Sequence, residues 1–308
     1  MKIRTKKQDY LKKVDTGYIR MKDYRVAICA IVRDCEKSLK KNIPVINKLK
    51  SCFRESHIVV VENDSNDGTK DLLLKWSQSV ENVHVISEDI GSQNMPEVEG
   101  NVPPWFACHR IKLMASYRNK YMEFIDKSNW ELDYVIVVDL DFRHLSIDGI
   151  SNSFGQDINW DAITSNGKIK DKYGYKYYDT YAFREIGDTS VQTEESIYTY
   201  QNLLSDLDIG MIMFRVSSAF NGLAIYKAEA IKGLKYRCEL SDDLKVESVC
   251  EHVTLHQDMA SRGNDLIYVN PSQLVYYKSL ESGLNRLIKK IKRKLAGITK
   301  YKRQYAKS

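Results

Sequence analysis

Tyr134-Val135-Ile136-Val137-Val138-Asp139-Leu140-Asp141-Phe142 is an apolar, β-branched run that ends in two carboxylates. It reads as a strand buried on both faces, the kind found in parallel sheets. Successive strand side chains alternate, so this reading points Asp139 and Asp141 to the same side. Two like charges at the end of a buried strand repel and call for a cation. Hard oxygen ligands select Mg²⁺ or Mn²⁺, which would bridge the diphosphate of a nucleotide. A bare pair of acids also marks many strand ends. The apolar strand in front, at the edge where open α/β sheets bind ligands, weighs for the ligand reading.

Outward from this run the same grammar repeats. Val26 to Val32 is a second buried strand, and Leu39, Ile43, Ile46 and Leu49 recur at helical spacing behind it. Ile58 to Val61 is a third strand, ending at Glu62, followed by the turn-rich Asn63-Asp64-Ser65-Asn66-Asp67-Gly68-Thr69 with a helix cap built in. A helix through Leu72, Leu73 and Trp76 leads to a strand at Val83 to Ile86, and a longer helix is expected from about Trp105 to Ile125. Strand and helix in alternation predict an α/β fold with a Rossmann-like, mostly parallel sheet flanked by helices. Residues 160–230 are richer in Tyr, Gly and Asp. Residues 244–262 read as a helix and Leu266 to Val269 as a last strand. The expected division is a basic lead-in (1–25), a catalytic domain (26–283, with halves meeting near 143) and a basic amphipathic tail (284–308).

The chain has 308 residues, 43% hydrophobic and 29% charged, which excludes a disordered, collagen-like or disulfide-stapled chain. No apolar stretch is long enough for a membrane span, and the basic N-terminus lacks the apolar core of a secretory signal. Six cysteines without a CxxC pair then suit reduced thiols and a cytoplasmic location. The net charge of +6 is unevenly spread: +6 in residues 1–25, +10 in 284–308 and −10 between them. An acidic body argues against a nucleic-acid groove and suits a site built around a divalent cation. In the tail, Leu284, Leu287, Ile288, Ile291 and Leu295 form an apolar stripe opposite a Lys/Arg face. That pattern predicts either peripheral docking on an anionic membrane surface or a helix packed on the domain.

The remaining candidate site residues are scattered along the chain. Glu62 and Asp64, at the end of a strand, are placed to read a base or ribose. Arg110 and Arg118 sit eight apart on one helix, and Arg118-Asn119 is the segment assigned to a diphosphate. Glu251 is a candidate base, beside His252 and His256 at i and i+4, a spacing that suits a metal pair as well as a packed helix face. Asp179, Arg184, Asn221 and Gly222 lie in Tyr-rich stretches suited to sugar stacking, and a packed subdomain has the same composition.

Together these features resemble the GT-A class of nucleotide-sugar glycosyltransferases, from about Val26 to Tyr277. Val61 to Thr69 is similar to that fold's Val-Asp-Asp-Gly-Ser-x-Asp-Gly-Thr segment. Ala115-Ser116-Tyr117-Arg118-Asn119 looks like the helix that precedes its DxD motif. Glu251-His252, Arg262-Gly263 and Ile267-Tyr268-Val269-Asn270-Pro271 look like its catalytic helix and closing strand. More closely, Tyr117-Arg118-Asn119-Lys120, Asn166-Gly167, Tyr178 to Arg184, Phe220 to Tyr226 and Cys250-Glu251-His252-Val253 resemble the fungal capsule-associated α-mannosyltransferase family and its microbial relatives. The resemblance implies a Mn²⁺- or Mg²⁺-dependent enzyme. It would move a sugar from a nucleotide-sugar donor, with GDP-mannose the first suggestion, to a glycan or lipid-linked saccharide acceptor with retention. Asp139 and Asp141 would hold the metal, Glu62, Asp64, Arg118, Asn119 and Asp139 the donor, and Arg184, Asn221 and Gly222 the acceptor. Catalysis would fall to Glu251, His252 and Asp179. Two positions depart from the pattern. His252 stands where inverting relatives carry an acid, and Tyr276-Tyr277 stand where a metal-binding histidine is common, so His252 or His256 is expected to complete the shell. A sugar-phosphate nucleotidyltransferase is the second enzyme reading, weakened by the glycine-free Val32-Arg33-Asp34-Cys35 after the first strand. A non-catalytic membrane-surface binding protein is the third, and it leaves Asp139 and Asp141 unexplained.

Overall fold

The computed structural model describes residues 4–91, 102–171, 174–243 and 245–277. In chain order the first half runs α1 (Lys7–Met21), β1 (Arg25–Val32), α2 (Glu36–Lys50), β2 (Glu55–Asn63), α3 (Thr69–Ser79) and β3 (Val83–Glu88). A one-turn 3-10 helix (Pro104–Phe106), α4 (Cys108–Lys127) and β4 (Tyr134–Val138) complete it. The second half holds β5 (His144–Leu145), α5 (Ile147–Phe154), β6 (Ala162–Asp171), β7 (Gly174–Tyr177), α6 (Glu194–Leu203) and β8 (Phe214–Val216). It closes with β9 (Leu223–Lys227), α7 (Ala228–Ile231), β10 (Glu239–Leu240), β11 (Ser248–Val249), α8 (Glu251–Ser261) and β12 (Ile267–Tyr277).

One sheet organises the chain in the order β3-β2-β1-β4-β9-β6-β12-β5, with β7 on β6 and β8 on β12. The pairings β3–β2, β2–β1 and β1–β4 are parallel, as the run of buried strands predicts. Antiparallel β9 joins β4 to β6, and β6 pairs parallel with β12. The result is the expected α/β fold with helices on both faces. Strand alternation feeds two cores. Ala27, Cys29, Val59, Val61, Val135 and Val137 pack with Tyr121 and Met122 of α4 and Leu255 of α8. Val26, Ile28, Ala30, Val60, Ile136 and Val138 pack with Leu39 of α2, Leu73 of α3 and Ile150 of α5. Each such fully buried aliphatic side chain contributes about 1.5–3 kcal/mol before entropy is counted.

Three expectations change. The basic lead-in is largely helix α1, which packs on α5 through small residues. A Cβ on Gly17 would stand 1.7 Å from the Ser151 carbonyl oxygen, and one on Gly155 would stand 1.8 Å from that of Lys13. Arg20 adds hydrogen bonds to the Phe154 and Gln156 carbonyls. Second, β4 stops at Val138, so Asp139 and Asp141 belong to the turn beyond it, where strand alternation does not apply. Third, α8 begins at Glu251 rather than near 244, because Ser248–Val249 pairs with Glu239–Leu240 first. No helix among the described residues is long and apolar enough to cross a membrane. The tail at 284–308 lies outside the described residues.

Candidate active site

The two carboxylates sit where the parallel strands end. Asp139 donates its backbone N–H to Gly222 (2.9 Å), which continues the β4–β9 pairing by one residue. The turn that follows is held by Asn42 of α2, whose Nδ2 donates to the carbonyls of Leu140 (2.8 Å) and Phe142 (2.7 Å). Asp139 has 22% of its side chain exposed, whereas Asp141 is open to solvent. Burial pushes the Asp139 carboxyl up to about 7; Arg118 pulls it back, while Asp141 and Asp179 push it further up. Asp179, half-buried, is raised to about 6, again chiefly by burial. Asp141 and Asp179 thus lie close enough to Asp139 to raise its carboxyl, and the three form one electrostatic unit.

Arg118 was expected to meet a diphosphate; the structure buries it instead. Its side chain is 3% exposed, Nε donates to Glu251 Oε1 (3.1 Å) and Nη2 lies 3.9 Å from Asp139 Oδ1. The guanidinium also lies over the rings of Phe220 (5.0 Å) and Tyr236 (5.6 Å). Asn119 is committed as well, gripping the Tyr236 backbone through Nδ2 to the carbonyl (2.9 Å) and through Oδ1 from the N–H (2.8 Å). Glu251, assigned as a base, is buried, and its Oε1 accepts from Arg118 and so orients that guanidinium.

The histidines are core residues. His256 is fully buried, Ser218 Oγ lies 2.8 Å from its Nδ1 and Tyr226 Oη 3.1 Å from its Nε2, which leaves no ring nitrogen for a metal. Burial drives its pKa down to about 3. His252 stacks on Phe220 (ring centroids 3.8 Å apart) and is held neutral by burial, by Arg118 and by His256. Its nearest carboxylate contact is Glu251, at 3.9 Å. Both leave the expected metal shell because their helix face is turned into the core.

Asn221 and Gly222, expected to line an acceptor groove, shape the site from beneath. Both have left-handed backbones (φ +58° and +80°). Asn221 is fully buried, and its Oδ1 accepts the Asp179 N–H (3.0 Å). Gly222 leaves room for Tyr277, since a Cβ there would stand 1.5 Å from the phenol oxygen. That phenol donates to Asp139 Oδ2 (3.3 Å), and its ring stacks on Tyr178 at 3.9 Å. Arg184 is half-buried on the Tyr-rich side, with its backbone bridged to Ser218.

Glu62, expected to read a base, is fully buried. It accepts the Ser65 N–H (2.9 Å) and the Ser87 hydroxyl. Asp64 (φ +47°) accepts the Gly91 N–H (2.8 Å) and so ties the β2–α3 turn to the end of β3. Asn42, Tyr178 and Tyr277 support the carboxylates without having been singled out for that role. No local spacing marks Asn42, because its partners lie about a hundred residues away.

Among the described residues no three His, Cys, Asp or Glu side chains form a ready-made metal shell. The donor set still fits Mg²⁺ or Mn²⁺, which are commonly held by one or two carboxylates and completed by water and substrate phosphates. The fit rests on the two carboxylates that follow β4, Asp139 and the exposed Asp141, not on a closed cage.

A model of the family described as Cryptococcal mannosyltransferase 1 matches residues 25–258. No curated protein matches the chain. Among solved structures, the mannosyltransferase PcManGT from Pyrobaculum calidifontis, in complex with GDP-Man and Mn²⁺, is 13% identical with a TM-score of 0.47; the match covers 89% of this chain and 67% of that one. TarS residues 1–349 from S. aureus are 15% identical with a TM-score of 0.44, covering 82% and 60%. Glucosyl-3-phosphoglycerate synthase from Mycobacterium tuberculosis, in complex with Mn²⁺, uridine-diphosphate and glucosyl-3-phosphoglycerate, is 11% identical with a TM-score of 0.46, covering 89% and 78%.

Proposed function

The chain belongs to the Cryptococcal mannosyltransferase 1 family, and from that premise we propose a metal-dependent glycosyltransferase that moves a sugar from a nucleotide-sugar donor to a saccharide or glycoconjugate hydroxyl with retention. The observation that carries the finer reading is the pair of carboxylates at the sheet's carboxyl edge, where burial first, and Asp141 and Asp179 after it, drive Asp139 up to about 7. Asp139 and Asp141 would hold Mn²⁺ or Mg²⁺, which when bound supplies positive charge to a leaving diphosphate. Arg118 and Tyr277 keep Asp139 in place, and Glu251 keeps Arg118 in place. Asp179, whose backbone is held by Asn221 and whose carboxyl burial raises to about 6, would exchange a proton with an acceptor hydroxyl. The stacked tyrosine pair Tyr178–Tyr277 would offer an aromatic wall to a sugar.

The nucleotidyltransferase reading loses ground, because the β1–α2 and β2–α3 turns are cross-braced by carboxylates rather than opened as a phosphate cradle. Asp34 Oδ1 accepts the Asn66 N–H (2.7 Å), and Asp67 accepts those of Glu36 and Thr69 (3.1 and 2.9 Å). A thermal-shift panel of nucleotide sugars with Mn²⁺, beginning with GDP-mannose, followed by assay of nucleoside-diphosphate release with saccharide acceptors, tests the proposal. At least one donor is expected to raise the midpoint with Mn²⁺ and not with excess EDTA. Release of pyrophosphate from a nucleoside triphosphate and a sugar phosphate would favour the nucleotidyltransferase, and full transfer activity in EDTA would remove the metal.

A further inference from the structure

We propose that Cys108 and Cys238 are a modification site, forming a reversible disulfide that fastens the start of α4 to the chain entering β10; the inference stands independently of the glycosyltransferase reading. Among the described residues, the sulfurs of two of the six cysteines touch. Cys108 Sγ and Cys238 Sγ lie 3.3 Å apart, from positions 130 residues apart in the chain. A disulfide bond is about 2.05 Å long, so the two sulfurs need to close by roughly 1.2 Å. Both stand on held backbone. Cys108 opens α4, and its N–H donates to Glu247 (2.8 Å). Ahead of Cys238, Asn119 grips the Tyr236 backbone, and Arg237 exchanges hydrogen bonds with Thr254 of α8 and pairs with Asp258 (2.8 Å).

The two thiols differ in access. Cys108 is 6% exposed, whereas Cys238 is only half-buried and is the one an oxidant reaches first. Burial, and after it the neighbouring Cys108, push the Cys238 thiol up to about 12, while Lys112 and Ser248 draw it back. The pair is therefore slow to oxidise near neutral pH and answers sustained oxidant. The oxidant is a small-molecule disulfide such as oxidised glutathione. Cys238, after releasing its proton to water, attacks one sulfur of that reagent; the reagent's S–S bond breaks, and one thiolate leaves and takes up a proton. Cys108 loses its proton in turn, attacks Cys238 Sγ in the mixed disulfide and expels the second thiol. The two protein sulfurs lose two electrons, and the reagent disulfide gains them. The new bond closes a loop that contains Arg118, Asp139 and Asp179, which restricts the unfolded chain far more than the folded one.

Incubation of the full chain with oxidised glutathione at pH 8, then alkylation of the remaining thiols and peptide mass mapping without reduction, tests this directly. The expected product is one linked pair of peptides holding Cys108 and Cys238, which dithiothreitol separates again. The oxidised chain should unfold a few degrees above the reduced one, as a bond closing a long loop requires. Cys108→Ser should leave glutathione on Cys238, because the thiol that resolves the mixed disulfide is gone. Glutathione that persists on Cys238 in the parent overturns the proposal, and so does a Cys238 that remains free to alkylate or links to a different cysteine. A thermal midpoint lowered by the Cys108–Cys238 bond overturns it as well, since the bond would then strain the fold rather than fasten it.

Discussion

At the residue scale, the burial of the Asp139 carboxyl costs the folded chain stability. That carboxyl titrates near 7 when folded and near 3.8 when unfolded. Between those values the folded chain holds the proton that the unfolded chain has released, so this residue's contribution falls as pH rises through the window. Asp139→Asn should therefore raise the thermal midpoint at pH 8, by up to a few kcal/mol of stability, and change it little at pH 4. Transfer activity should drop by orders of magnitude in the same variant. A lower midpoint at pH 8 would mean that the contact with Arg118 outweighs burial. Gly222 makes a related point about legibility. The sequence marks an Asn-Gly pair, but that its missing Cβ admits the Tyr277 phenol to Asp139 follows only from β12 arriving beside β9.

Two elements divide the work at the site, α2 and α8. Asn42 on α2 is buried and satisfies two carbonyls of the turn that carries Asp141, so Asn42→Ala leaves two buried acceptors without donors. It should cost about 1–3 kcal/mol in denaturant unfolding and loosen metal-dependent activity, because the turn loses its tie to the helix. In α8 the spacing of His252 and His256 correctly places both on one face, yet that face is core. His256 titrates near 3 when folded against about 6.5 unfolded, so it is bound neutral. Below pH 6.5 the unfolded chain takes up a proton that the folded chain refuses, and stability falls from there toward pH 3. His256→Gln should flatten that acid limb of the stability profile. An unchanged slope would show that other groups carry it. A metal pair and a packed pair share the i, i+4 spacing, and only Ser218 and Tyr226, from other parts of the chain, separate them.

At the scale of the whole molecule, the acidic body between basic ends raises the question of what the tail meets. Residues 284–308 carry ten Lys/Arg and no acid. Deleting them should abolish co-sedimentation with anionic liposomes at low salt and spare transfer to a small soluble acceptor, since attraction of about 1 kcal/mol per basic residue fades with screening. Unfolding or aggregation of the truncated chain would assign the apolar stripe to the domain core instead. The N-terminal charge works differently. Arg20 and Lys13 bind the end of α5 and Gln156, so α1 is part of the fold, and removing residues 4–21 should destroy cooperative unfolding.

What the sequence by itself determined is what local physics encodes. Runs rich in Val and Ile named four strands of the parallel half, because strands buried on both faces, as β1, β2 and β4 are, must be largely apolar. The paired acids at the end of one run marked the candidate site, because charge at that edge has few structural uses. Only the tertiary structure decided which polar residues reach the cleft. Glu62, Arg118, Asn119, Glu251 and His256 share residue types with ligand-binding groups, but each is already engaged by partners within the fold. Residue type does not reveal that commitment, because a buried polar group must be hydrogen-bonded, and its partners here come from strands and helices distant in the chain.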